Sequence, residues 1–451
     1  MNLLTVLLIV YSLGLIGVGW WAGRAVRRSE DYFVAGRSLG PGLIFATFLA
    51  ANIGASSTVG ATGHAYRDGL AAWWWNGSAG LGSLVLAFWI GPRMWKQAKE
   101  HNLLTVGDFL EHHFGRGVRG FAAVAIWLGS LFILCGQLKG AALVLERASG
   151  LSLGMGALLA SIATVAYFMM GGLKSAAWVN GIQLIVILAG FAVAAPFAAR
   201  AAGGAFVSGV DSSFWTGTGV GWQSLLLLGP AFFLSPGLLQ KAYGARSAQA
   251  LTRGVAWNGV ALVAFAVLPV LLGMAARELQ PDLVNREMAL PAVLALNVPL
   301  AVGSLALAAV LSAELSSADA VLFMLATSGA RDFYRGILRP AATDEEVLRV
   351  ARILAGVSAL AGFVLTFYLD SVVGAITLFY QIMIVTLFAP ILGGLLLPRA
   401  GRWSALAAML VGVGTMITTS IATGGAGWGW APPHFLGLVA SSLTYFVLAA
   451  F

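Results

Sequence analysis

Residues 52–60 read Asn52-Ile53-Gly54-Ala55-Ser56-Ser57-Thr58-Val59-Gly60, a small and polar run inside a segment that is otherwise apolar from about residue 40 to 67. A second interruption, Gly229-Pro230-Ala231-Phe232-Phe233-Leu234-Ser235-Pro236-Gly237, carries two prolines, each of which removes a backbone donor and clashes with the preceding turn. What such breaks mean depends on the medium around them. The chain is 59% hydrophobic and 10% charged, with a mean hydropathy of +0.88, whereas an average soluble domain carries roughly 25% charged residues. Both interruptions therefore lie in helices that cross a bilayer. Freed backbone groups are tolerated at that depth only where protein buries them or water reaches them.

Working outward from the breaks, apolar segments of about 20 residues recur to the end of the chain. About thirteen spans are expected, at 2–22, 40–67, 72–95, 118–145, 152–170, 176–199, 223–243, 252–276, 289–328, 348–369, 372–397, 404–422 and 433–451. Met1 to Trp21 has no basic n-region and no small-residue cleavage site, so it reads as a retained span rather than a signal peptide. The net charge of +8 is distributed by loop. Arg24, Arg27, Arg28, Arg37, Lys96, Lys99, Arg116, Arg119, Lys174, Lys241, Arg246, Arg253, Arg331, Arg335, Arg339, Arg349, Arg352, Arg399 and Arg402 fall on one face. Arg67, Arg147, Arg200, Arg277 and Arg286 fall on the other. The positive-inside rule makes the first face cytoplasmic, which places the N-terminus outside and the C-terminus inside the cell. The positive charge is thus topology and no nucleic-acid footprint. A single cysteine, Cys135, excludes an intramolecular disulfide. The adjacent His112 and His113 read as solvated loop rather than metal ligands.

The breaks open the second and seventh spans, five spans apart. Paired interruptions at corresponding positions of two halves are the best sequence pointer to a transporter's central site. The layout is an all-α polytopic protein with two inverted five-helix repeats, residues 40–199 and 223–397, preceded by one helix (1–22) and followed by two (404–451). The competing reading is that small residues merely allow close helix packing. Two breaks at this spacing favour the site.

Several motifs, taken together and in order, resemble the sodium:solute symporter family. They are Asp31-Tyr32-Phe33-Val34-Ala35-Gly36-Arg37-Ser38-Leu39-Gly40, Ala50-Ala51-Asn52-Ile53-Gly54, Thr105-Val106-Gly107-Asp108-Phe109-Leu110-Glu111, Gly171-Gly172-Leu173-Lys174 with Trp178 and Gln183, Gln240-Lys241-Ala242, Ser316-Ser317-Ala318-Asp319, Arg331-Asp332-Phe333-Tyr334, and Gln381 with Pro390. The resemblance implies a LeuT-like fold, alternating access and solute uptake driven by Na+. Its main sodium site maps onto the carbonyls of Ala50, Ile53 and Ala313 and the hydroxyls of Ser316 and Ser317. Positions 313, 316, 317 and 320 share one helical face. The alternative for a membrane serine is a bond to its own i−4 carbonyl.

Asp319 follows the Ser-Ser-Ala pattern as in the proline-like, amino-acid branch of the family and leans away from sugar. Relatives with a second sodium site usually carry Thr-Asp where this chain has Val179-Asn180, so a second cation or proton site would rest on Asp319, with Asn180 and Glu314 as further candidates. Glu314 is outside the family pattern, and an intramembrane acid is by default a functional hypothesis. It could tune the cation site, pair with a base or carry a proton. Lys139 either snorkels, pairs with an acid or meets a substrate carboxylate. Substrate contacts are expected from Ser56, Ser57, Asn76, Phe232, Phe233, Ser235 and Gln381, while Trp73 to Trp75 read as an interfacial aromatic belt.

The expected protein is a monomeric sodium symporter of the inner (plasma) membrane for a small polar solute, an amino acid or carboxylate rather than a sugar. A proton-coupled carrier or exchanger of the same fold using Glu314 or Asp319 is the alternative, and a transporter-like sensor is a third. No nucleophile-base constellation, phosphate loop or metal motif points to an enzyme, and no organic cofactor is implied.

Overall fold

The computed structural model describes residues 13–15, 17–21, 29–168, 172–203, 213–397 and 401–450. Most of the expected first span lies outside the described residues, as do Arg24, Arg27, Arg28, Gly171 and Arg399.

The described chain is almost wholly helical. After a short helix at Ser29–Val34 come α1 (Pro41–Asn52), α2 (Ala61–Asp68) and α3 (Trp73–Val85), followed by α4 (Val106–Phe114), α5 (Arg116–Ser149), α6 (Leu153–Phe168) and α7 (Gly172–Ala201). Then come α8 (Ser224–Leu234), α9 (Pro236–Tyr243), α10 (Ala248–Phe265), α11 (Val267–Leu279), α12 (Ala289–Leu296) and α13 (Leu300–Thr327). The chain closes with α14 (Asp344–Leu365), α15 (Val372–Leu396), α16 (Arg402–Ala422) and α17 (Pro433–Ala449). By length and apolarity, 8 described helices can cross a membrane, and 9 if the bent pair Pro41–Asn52 and Ser56–Glu100 counts as one span. Helices α6 and α17 are apolar but shorter.

Both interruptions are real breaks. The first bends its helix by 63°: α1 ends at Asn52, Ile53 is extended at φ −94° and ψ 94°, and the chain resumes in a wide turn at Ser56–Gly60 before α2. The second lies at Ser235, with φ −52° and ψ 120°, between α8 and α9. There Pro236 opens the new helix, the one place where its missing N–H costs nothing.

One expected span is corrected. Residues 289–328 are not one helix: α12 ends at Leu296 and α13 begins after Pro299, whose missing N–H favours a new helix start over continuation of the old one. This shortening sets Glu314 and the two serines near the middle of α13. That helix packs along α5 and α7 and meets the end of α1.

A buried ionic cluster ties the ends of several helices. Asp108 on α4 accepts from two arginines, Arg119 at 2.9 Å and Arg331 at 2.9 Å. Arg119 on α5 also reaches Asp332 at 3.1 Å and pairs with Glu111, while the Thr105 hydroxyl donates to Asp332 at 2.6 Å. Two motifs about 220 residues apart in sequence are thereby one structural unit. Buried charges hold only where partners satisfy them, and removing one strands the rest.

Candidate functional site

The first break and α13 bring six oxygens together. The Ser316 hydroxyl donates towards Ala50 O at 2.9 Å and Ala313 O at 3.0 Å. That of Ser317 lies 3.3, 3.1 and 3.2 Å from the carbonyls of Ala50, Ala51 and Ile53. Neither hydroxyl is spent on its own i−4 carbonyl; within α13, Ser316 reaches only the i−3 carbonyl of Ala313. The donor set is carbonyl and hydroxyl oxygen, with no nitrogen or sulfur, which suits a hard cation. Sodium arriving there would meet oxygens already gathered by the serine hydroxyls.

The break is held open by side chains from neighbouring helices. Ala55 N, freed by the break, donates to Gln137 Oε1 on α5 at 2.8 Å. Ser57 N and Thr58 N both donate to Gly54 O, at 2.9 and 3.0 Å. Asn76 on α3 donates to Ser57 O at 2.9 Å, and Trp75 Nε1 donates to Ser56 Oγ at 2.8 Å. Gly54 is required by close approach: a Cβ there would collide with Ser317 and lie 2.6 Å from Gln137 Oε1. Ser57 closes on Asn52 O at 2.6 Å. Ser56, Ser57 and Asn76 thus brace the break, and their polar groups are engaged with protein.

The second break borders a central cavity of about 60 Å³, lined by Asn52, Phe232, Ser235, Gly237, Lys241 and Tyr380 among others. Lys241 corrects its sequence reading as a loop charge. It is only 2% exposed, lies inside the span Ser224–Tyr243, and donates to Thr47 O at 3.0 Å. Phe232 lines the cavity and packs on Tyr380 at 5.6 Å between ring centroids. Phe233 packs on Phe388 instead.

The three candidates for a second ion position separate into two places. Asn180 donates to Thr47 Oγ1 at 3.3 Å, and Thr47 is the residue that also binds Lys241. Asp319, 8% exposed, belongs to this neighbourhood: the next residue, Ala320, lines the same cavity as Lys241. Glu314 sits elsewhere, wholly buried. Its Oε1 receives the Thr58 hydroxyl at 2.8 Å, and its Oε2 has no hydrogen-bond partner among the described residues.

Two expected substrate contacts lie away from the cavity. Lys139 binds the carbonyls of Leu369 and Asp370, the latter at 3.1 Å, so its long stem carries the charge to the loop between α14 and α15. Gln381 lies 3.3 Å from His434 Nδ1 on α17, whereas Tyr380, one position earlier, faces the cavity. His113 is half-buried rather than solvated, with Nε2 2.9 Å from Gln97 Oε1. Burial, and then His112 and His101, push its pKa down to about 4.

With this geometry in hand, the comparisons assign the class. The sequence pattern of the sodium:solute symporter family matches residues 32–412. The chain belongs to that family and is a sodium-coupled symporter for a small polar solute, with Na+ as the co-transported ion. It is 26% identical to the high-affinity choline transporter 1 of Caenorhabditis elegans, over 91% of this chain and 77% of that protein. It is 24% identical to the high-affinity proline transporter PutP of Bacillus subtilis, over 89% of this chain and 88% of that one. In fold it is similar to a Na+-coupled sialic acid symporter, at TM-score 0.85 and 16% identity over 100% of this chain and 96% of that chain. The multi-pass helices and the family place it in the membrane as a transporter.

Proposed function

We propose that the chain imports an amino acid or other small carboxylate-bearing solute, and that the driving sodium ion binds at the carbonyls of Ala50, Ile53 and Ala313 and the hydroxyls of Ser316 and Ser317. The observation that carries the site is the meeting of both serine hydroxyls with the carbonyls at the end of α1. In this reading sodium bridges α1 and α13, the solute then binds beside the two breaks, and release follows to the cytoplasmic side. The halves 40–199 and 223–397 act as the two repeats, with the N-terminus outside and the C-terminus inside. Support for the solute class comes from Asp319 in its Ser-Ser-Ala-Asp setting and from the likeness to a proline transporter.

Linkage gives a strict test. Sodium must raise solute affinity by the same factor that solute raises sodium affinity. Thermal-shift screening of the purified protein with amino acids, carboxylates, sugars and vitamins, in sodium and in potassium, identifies the solute as the ligand that stabilises only in sodium. If Ser316→Ala combined with Ser317→Ala left that sodium dependence intact, the site assignment would fail.

A second reading concerns Glu314. Its unpartnered Oε2 and its tie to Thr58 favour a separate ion position beyond the break, distinct from the Asp319 neighbourhood. Counting the ions moved per solute by Glu314→Gln and Asp319→Asn variants tells the two places apart.

A further inference from the structure

Away from the transport site, α5 packs along the wide helical segment Ser328–Leu338. Gly120 lets the two close up, since a Cβ there would lie 2.9 Å from Ile337 Cδ1. Two cavities follow each other along this seam. One, of about 360 Å³, is an apolar groove lined by Ala123, Val124, Trp127, Leu128, Phe333 and Leu354. Val124, Leu128 and Phe333 are exposed, so the groove opens sideways, where the bilayer lies. The other, of about 230 Å³, is lined by Arg116, Arg119, Arg331 and Arg335 together with Asp108 and Glu111. Arg119 and Ala123 stand one turn apart on α5, a rise of about 6 Å, and Arg331 and Arg335 flank Phe333 in the chain. The charged cavity therefore begins about where the apolar one ends.

The charged cavity has bonding capacity to spare in both signs. A guanidinium carries five N–H donors. Among the described residues, Arg331 donates through Nε alone, to Asp108, and Arg335 through one terminal nitrogen, to Asp344. Arg116 makes only a long bond to Glu111, at 3.4 Å. Arg119 Nε, buried beside Gly336, has no acceptor among the described residues, and a buried donor left unpaired is costly. The acids are not hidden either: the Glu111 side chain is 29% exposed. A purely anionic ligand would also meet Asp344, Glu345 and Glu346 at the start of α14. A ligand that joins a phosphate to an N–H cation suits both sets. The space is more than tenfold the roughly 10–15 Å³ that a single water needs, enough for such a head group.

We infer that the paired cavities hold one phospholipid with a primary-amine head group, phosphatidylethanolamine, drawn from the leaflet at the protein's basic face. Its phosphate meets Arg116, Arg331 and Arg335, its ammonium meets Glu111, and an acyl chain lies in the groove over Trp127 and Phe333. Arginine suits the phosphate because its planar fork donates two parallel bonds. Basic pockets between membrane helices are a recurring way of holding lipid head groups. The acids in this one decide among lipids: phosphatidylglycerol has no cation for Glu111, and a choline head group has no N–H to give it. The bound lipid touches α4 and α5 from one half of the chain and Ser328–Leu338 and α14 from the other. It thus braces, from the bilayer side, helices that the buried ionic cluster ties from within.

The test titrates the full-length protein in detergent with phosphatidylethanolamine, phosphatidylcholine and phosphatidylglycerol of matched acyl chains, and reads bound lipid by native mass spectrometry. Phosphatidylethanolamine should bind about tenfold more tightly than either of the others. Two variants probe the two cavities: Val124→Trp fills the groove from an exposed position, and Arg116→Gln with Arg335→Gln removes half-exposed donors. Each should weaken phosphatidylethanolamine by about fivefold or more and bring it level with phosphatidylcholine. Stabilisation by sodium serves as the folding control. Should the arginine variant fail to purify, Val124→Trp and the lipid series on the unaltered protein decide. Soluble glycerophosphoethanolamine, which keeps the head group without the chains, should not displace the lipid at equal concentration. Displacement by it would make the charged cavity a site for a free phosphate ester and overturn the lipid assignment. Equal binding of the three lipids, a preference for phosphatidylcholine or phosphatidylglycerol, or a phosphatidylethanolamine preference that survives either variant overturns it as well.

Discussion

The two breaks use one device for opposite ends. At the first, the freed amide of Ala55 is capped by Gln137 and those of Ser57 and Thr58 by Gly54 O, while the carbonyls of Ala50, Ala51 and Ile53 meet the serine hydroxyls. At the second, Pro236 starts a helix whose next two amides are uncapped, and Lys241 adds a full charge. The first is also tight and the second roomy. A Cβ on Gly54 has no space, whereas one on Gly237 would meet only the flexible Met324, at 3.4 Å. The difference teaches that unwinding a membrane helix does not by itself choose a ligand. The neighbouring side chains choose, by satisfying either the donors or the acceptors that the break releases.

The comparison can be broken most severely at the serines. Ser316→Ala with Ser317→Ala should abolish sodium-driven uptake in proteoliposomes, with apparent sodium affinity falling about 100-fold for two lost oxygen ligands, or roughly 1.4 kcal/mol each. Gly54→Ala comes next: the added methyl group forces Ser317 and Gln137 apart, so uptake should fall by about tenfold or more. Gly237→Ala, the matching change at the second break, should stay within about twofold; equal losses in both would erase the distinction between tight and roomy. Asp319→Asn should weaken sodium activation by several-fold, about 1 kcal/mol, by removing a buried acid from the helix that carries Ser316 and Ser317. An unchanged sodium dependence of uptake would take Asp319 out of the coupling. The smallest effect is expected for Gln381→Ala, which should shift the KM for solute by less than about twofold because its amide points to His434. A large KM change there would move the solute pocket towards α17.

Sequence reasoning reached furthest where a physical constraint acts locally. The polar run at 52–60 and Pro236 each announce a helix break, because unpaired backbone in lipid admits few explanations. Ser316 and Ser317 were legible through family spacing, and their neighbours Ala50 and Ile53 with them. Lys241 was misplaced because a lysine two residues from a span's edge looks like a loop anchor. Only three dimensions show that the chain bends at Ser235 and carries it inward. The span 289–328 was drawn too long because Asn297 and Pro299 are only two polar or helix-breaking signals in an apolar stretch. Lys139 snorkels to the loop between α14 and α15, one of the readings its sequence allowed, whereas Gln381 failed to face the cavity for a rotational reason. One step along a helix turns a side chain by about 100°, and no linear motif fixes that angle. Gln137 and Tyr380 carried no sequence signal of their own, and Thr58 showed only as one member of the polar run; all three matter through contacts with residues on other helices.

Under the proposed sodium assignment, the contact between Gly54 and Ser317 has a consequence for ion choice. Serine is short, so its hydroxyl reaches the end of α1 only because nothing but a hydrogen stands on Gly54. The oxygen ring is therefore as wide as the gap between two helices allows. A potassium ion would have to push α1 and α13 apart against every contact along their length. Discrimination by ionic radius thus becomes an elastic property of helix packing, stored in the missing methyl group of one glycine.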